Sequence, residues 1–194
     1  MKKLKHLLLV GAVLFDFASV VIVVANGWHA NLTISQHVTM TTWSTLLFSA
    51  INTAVGALAM WGLLIYIPNR QRLGQLYKIC AGMLAICLAG IGWFPYTTGV
   101  AAAIHQICTW GMSLLVLVIV AIAYIKMDRK TGMSPKVAGA VVATWMLLML
   151  IAHFFMPDFY NNTILYLEST CINAAFVFLL ALNYCPAKSV KIEE

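Results

Sequence analysis

Residues 90–110 read GIGWFPYTTGVAAAIHQICTW. The stretch holds no Lys, Arg, Asp or Glu, and its one imidazole is His105. Phe94-Pro95 divides it into two apolar arms. Proline lacks the N–H that a helix interior needs and clashes with the preceding turn, so the arms are separate elements joined by a short hairpin over 95–98. Followed outward, they become apolar runs over 77–94 and 99–125. Each is close to the length of about 20 residues that crosses a bilayer as a helix.

The same pattern recurs along the chain. Six spans are expected, over 7–25, 43–67, 77–94, 99–125, 136–156 and 160–184. The 194 residues are 62% hydrophobic and 9% charged, whereas a soluble domain carries about 25% charged residues. A surface made from this composition could not face water. The fold class is therefore all-α: one polytopic transmembrane bundle of six helices spanning 1–194. Short connections make neighbouring helices antiparallel. Prolines mark the joints: Pro68 after the second span, Ser134-Pro135 as N-cap and first helical residue of the fifth, and Pro157 ending it. Met1 to Ala25 also has the outline of a signal peptide. Its apolar run is long and interrupted by Asp16, so a permanent first helix is expected.

Charge placement sets the orientation. All 12 basic residues fall in the N-terminus (Lys2, Lys3, Lys5), the loop after the second span (Arg70, Arg72, Lys78), the loop after the fourth (Lys126, Arg129, Lys130, Lys136) and the C-terminus (Lys188, Lys191). The alternate loops, 26–42, 95–98 and 157–159, hold none. Lys and Arg accumulate on the cytoplasmic side, so both termini are expected there. The net charge of +6 thus reflects topology, and nucleic acid is excluded as a partner. The five cysteines are too scattered for a disulfide framework or a CxxC metal site. No Gly-rich phosphate loop, GxSxG or HExxH is present.

Polar groups inside the spans are the functional candidates, because a charge at the bilayer centre costs about 2.5–3.5 kcal/mol on insertion scales. Asp16 lies near the middle of the first span. Glu168 lies in the outer half of the sixth, His105 about 9 Å below the outer boundary, and His153 near that boundary. His29, His37 and Asp158 belong to outer loops. Four of the five histidines and two of the acids thus gather toward the outer side, which predicts a polar cavity in the outer leaflet. At helical spacing His105, Cys108, Thr109 and Met112 share a face, with Gln106 beside it. Glu168, Cys171 and Ile172 share another. Ser49, Asn52, Thr53 and Gly56 form a small, polar stripe suited to close helix approach. Asp16 is in register with Ala12 and Ser19. His105, His153 and Glu168 are candidate ligands for a metal assembled from several helices, and His105 with His153 could clasp a haem. A His–carboxylate proton relay and a purely structural hydrogen-bonded pair are the other readings.

Ile34-Ser35 in the first outer loop, Phe94-Pro95 after the third span, His105 early in the fourth and Glu168 in the sixth form a pattern. In it the chain resembles the bacterial membrane family catalogued as domain of unknown function 998, itself similar to DRAM-like and FGF-receptor-activating-protein-like membrane proteins. The acid usual in that family soon after Phe-Pro is replaced here by Tyr96-Thr97-Thr98. The resemblance implies six helices, an outward-facing site and residence in a bacterial cytoplasmic (inner) membrane. Its eukaryotic relatives imply a link to lipid remodelling, asymmetry and sensing.

The function expected from these readings is binding of a lipid or other hydrophobic ligand in an outer-leaflet cavity. His105, Glu168, Asp16, His153, Asn52 and Gln106 are its candidate residues, with His105 pointing into the bundle where Glu168 reaches it. The alternatives are a lipid-modifying enzyme using a metal or a His/Glu acid–base pair, and a non-catalytic subunit of a membrane complex. Membrane lipids, and either a membrane-protein partner or a second copy, are the expected partners. No cofactor is named by the sequence.

Overall fold

The computed structural model describes residues 6–68, 73–127 and 133–185. Among these residues there is no strand. The helices are α1 (Leu7–Ala25), α2 (Ile34–Val38), α3 (Thr42–Met60), α4 (Gln75–Trp93), α5 (Gly99–Lys126), α6 (Met133–Phe155) and α7 (Pro157–Tyr184). α3 continues without a break as a wider π-helical segment, Trp61–Tyr66. Six helices, all but α2, are long and apolar enough to cross a membrane. The chain is an integral membrane protein with a six-helix, all-α bundle.

Two joints differ from the sequence expectation. Pro157 opens α7 as well as closing α6, leaving only Met156 between them. A helix's first turn has no intrahelical use for its N–H groups, so proline costs nothing there. By the same rule Pro135 sits inside the first turn of α6, as expected, but Ser134 sits there too instead of preceding the helix as its N-cap. The loop 26–42 also contains the short helix α2, which hydropathy alone did not predict.

α1, α3, α4 and α5 pack in series, while α6 and α7 form a tight hairpin of their own. The hairpin meets the rest through α5, α1, α2 and the end of α3, along thinner seams. In lipid, apolar burial gives helices little reason to associate, and close packing of small residues takes over. Gly92 shows this at the α3–α4 seam: a Cβ there would stand 2.7 Å from Asn52 Cβ and 3.3 Å from Ser49 Cα. The Ser49 hydroxyl uses the proximity to donate to Gly92 O. Phe15, Phe48 and Phe176 lock α1, α3 and α7 together, with ring centroids 5.9 and 5.6 Å from Phe15. Phe17, Leu46, Ile86, Ile107 and Phe155 stay exposed on the outside, as lipid-facing side chains do.

His6 Nδ1 and the Tyr184 hydroxyl lie 2.9 Å apart, so the start of α1 and the end of α7 share one end of the bundle. Lys78, Lys126 and Lys136, at the start of α4, the end of α5 and the start of α6, belong to that same end. The remaining residues of the charge argument, Lys2, Lys3, Lys5, Arg70, Arg72, Arg129, Lys130, Lys188 and Lys191, lie outside the described residues. The loop 26–42 and the 95–98 hairpin occupy the opposite end.

Candidate functional site

At that opposite end, the chain entering the α2 segment is folded by its own polar groups. Thr33 caps α2 by accepting from Gln36 N–H, and the Gln36 side chain accepts from Thr33 N–H. This reciprocal capping box is written in the sequence as Thr33-x-x-Gln36 and is the signal that could have revealed α2. His37 is wholly buried beneath it. Its Nδ1–H donates to Thr33 O at 2.8 Å, and its Nε2 accepts from His29 N–H at 3.3 Å. Asn26 closes the far side by donating to His37 O at 2.8 Å.

The loop is then tied to the spans. The Trp28 indole N–H donates to the Tyr166 hydroxyl at 3.0 Å, and Leu165 N–H to Ala30 O at 3.2 Å. Ile34 N–H, at the first turn of α2, donates to Glu168 Oε2 at 2.7 Å. The next residue, Ser35, has its hydroxyl 2.9 Å from His105 Nε2. His105 Nδ1 is 2.7 Å from Phe94 O. A carbonyl only accepts, so Nδ1 carries the proton; in the neutral ring Nε2 is then bare and takes the Ser35 O–H. The sequence reading expected His105 and Glu168 to meet each other; instead each bonds the α2 segment. They grip consecutive residues of the loop from two different helices. Ile34, Ser35, Phe94, His105 and Glu168 meet at one place.

Beneath this junction lies a cavity of about 370 Å³. Its mouth is lined by Thr33, Ser35, Gln36, His105, Tyr160 and Glu168, with Tyr96 and Gln106 beside them. Its deeper wall is mainly apolar, with Phe15, Leu84, Leu88, Val116, Met146 and Leu179, and includes Thr109 and Ser113. From the level of His105 to that of Val116 on α5 it runs about 16 Å at 1.5 Å per residue. The cavity is amphipathic, where the sequence predicted a polar one. Asn52, fully buried, also lines it. Asn52 Nδ2 donates to Phe48 O at 3.0 Å, and its Oδ1 has no hydrogen-bond partner among the described residues. A buried acceptor left unmade costs about 1–3 kcal/mol.

No family model, curated protein or solved structure matches the chain.

Of the six residues singled out from sequence, His105, Glu168, Asn52 and Gln106 line the cavity, and Asp16 and His153 are not among its lining residues. Asp16 is half-buried, with the Asn173 side chain of α7 as its polar neighbour. His153 is exposed, its ring edge-on to Tyr160 at 4.8 Å. Helical spacing put each on a face of its own helix but could not say which neighbour that face meets. Among the described residues no three His, Cys, Asp or Glu side chains gather as a metal site would require, so His105, His153 and Glu168 do not form the centre considered from sequence. His153 is exposed and outside the cavity that His105 lines, so the two histidines do not share that cavity as a haem clasp would need. Among the mouth residues, Thr33, Gln36, Tyr96 and Tyr160 were missed, because nothing in their local sequence marks them as neighbours of His105.

Proposed function

We propose that this protein binds a single amphiphile, a membrane lipid or a molecule of similar build, with its head at the α2 mouth and its tail in the apolar depth. The observation that carries the reading is the cavity's polarity gradient. Ligand sites commonly occupy about 300–1,000 Å³ and combine apolar walls with a few placed polar groups. Here most of the polar groups lie at one end, and the deeper part is mainly apolar, its Thr109 and Ser113 hydroxyls already bonded to their own helix. The proposal takes the mouth to face away from the cytoplasm, as the basic residues predict, in a bacterial inner membrane. The meeting of Ile34-Ser35, Phe94, His105 and Glu168 supports treating the residues behind the family resemblance as one site.

The test uses the full chain in lipid nanodiscs with a diazirine-bearing monoacylglycerol. Photolysis should attach the probe to cavity peptides of α4, α5 and α7. Ala175→Trp, which puts an indole into the cavity wall, should suppress that labelling. Attachment confined to outward residues such as Phe154 and Phe155, and insensitive to Ala175→Trp, would refute the reading.

A further inference from the structure

The hydroxyls around the cavity do not all behave alike. Thr109 donates to His105 O and Ser113 to Thr109 O, each to a carbonyl one turn back on α5. Away from the cavity lining, Thr163 and Ser169 make the same bond on α7. Such hydroxyls are occupied by the backbone and gain no nucleophilicity. Ser35 differs: its hydroxyl meets an imidazole nitrogen contributed by another helix, seventy positions away in sequence.

That imidazole is itself oriented. Phe94 O holds His105 Nδ1–H at 2.7 Å and selects the tautomer whose bare nitrogen faces Ser35. The Tyr96 ring packs beside it at 5.6 Å. A hydroxyl, a base within about 2.6–3.2 Å, and a third group aiming the base form the general signature of an activated nucleophile. The third group here is a backbone carbonyl dipole instead of a carboxylate, so the imidazolium gains less stabilisation than beside a full charge. Ser35 and His105 both line the amphipathic cavity. An acyl chain lying in the apolar depth would bring its ester carbonyl up to the mouth, where Ser35 stands.

We propose that Ser35 and His105 are a nucleophile–base pair that cleaves a long-chain carboxylic ester held in the cavity. The proposal rests on the amphiphile-binding reading above. Ser35 Oγ forms a bond to the ester carbonyl carbon while its proton passes to His105 Nε2. The tetrahedral intermediate collapses, the bond between that carbon and the ester's alkoxy oxygen breaks, and His105 returns the proton to the departing alcohol. Water from the polar mouth then gives its proton to Nε2 and attacks the acyl-Ser35 carbonyl. Cleavage of the acyl–Oγ bond releases the fatty acid, and the proton returns to Ser35. No oxidant, reductant or metal enters the balance. His105 acts first as base and then as acid, and the Phe94 carbonyl is a positioning group.

The test is reaction of the full chain, in nanodiscs, with an alkyl fluorophosphonate, followed by peptide mapping. Phosphonylation of Ser35 in the wild type is expected. His105→Gln should slow it by about 10²–10⁴-fold, the usual worth of a general base. Hydrolysis of a fluorogenic long-chain ester should fall to background in Ser35→Ala. Photolabelling with the diazirine monoacylglycerol is run in parallel on each variant. Labelled cavity peptides with an unmodified Ser35 and no ester turnover would overturn the enzymatic proposal and leave amphiphile binding standing. Loss of cavity labelling in the wild type would overturn both. The wild-type mapping requires no variant to fold, and a purely structural Ser35–His105 bond would give no phosphonylated serine.

Discussion

Glu168→Ala tests the idea that one carboxylate holds α2 against the spans. In the wild type, Glu168 Oε2 accepts from Ile34 N–H at 2.7 Å, and Ile34 is only 4% exposed. Removing the acceptor leaves a buried donor unmade, at a cost of about 1–3 kcal/mol. At 1.4 kcal/mol per factor of ten, the local opening equilibrium of α2 rises by about 5- to 150-fold. Amide hydrogen exchange read by mass spectrometry on the peptide covering 33–38 measures this directly, since local opening sets exchange in small cooperative units. The centres of α4 and α5 should exchange as before. Glu168→Gln keeps an acceptor oxygen and should recover most of the protection. Unchanged exchange of 33–38 in Glu168→Ala would refute the reasoning and assign the anchoring of α2 to its other contacts.

Thr33→Ala removes the N-cap acceptor of the capping box and should destabilise α2 by about 1 kcal/mol, seen as faster exchange confined to the same peptide. Gly92→Ala forces a Cβ against Asn52 and the Ser49 backbone. It should cost about 1–3 kcal/mol by overpacking and lower the unfolding midpoint in detergent. The predicted orientation is checked with Asn31→Cys and Lys126→Cys, both exposed positions. A membrane-impermeant maleimide added to intact cells should label the first and spare the second.

The Glu168 and Thr33 predictions concern features that differ in how far the sequence reveals them. The capping box is local, and Thr33-x-x-Gln36 could be read directly. The Glu168 contact joins residues 134 positions apart, and no local pattern signals it. Glu168 was nonetheless recognisable as a candidate, because an acid within a span must have a reason to be there. His105 stood out for the same reason, whereas Ser35, a small polar residue in a polar loop, carries no such mark outside the family resemblance. Asp16 drew attention by the same rule that found Glu168, yet its polar neighbour is Asn173 on α7 and it does not line the cavity.

From sequence alone came the six helices, their approximate limits and the arrangement of their ends. A bilayer core requires every backbone group to be satisfied without water, and an apolar run of about 20 residues does so as a helix, with bonds between near neighbours, so hydropathy suffices to locate it. The chemistry at the mouth was decided only in three dimensions. Whether His105 faces Ser35 or lipid depends on how α5 is rotated and how closely it approaches the 26–42 loop, and those depend on interlocking side chains from every surrounding helix. Residue spacing fixes a side chain's position on its own helix, but the partner across the gap is set by packing, which no single stretch of the chain contains.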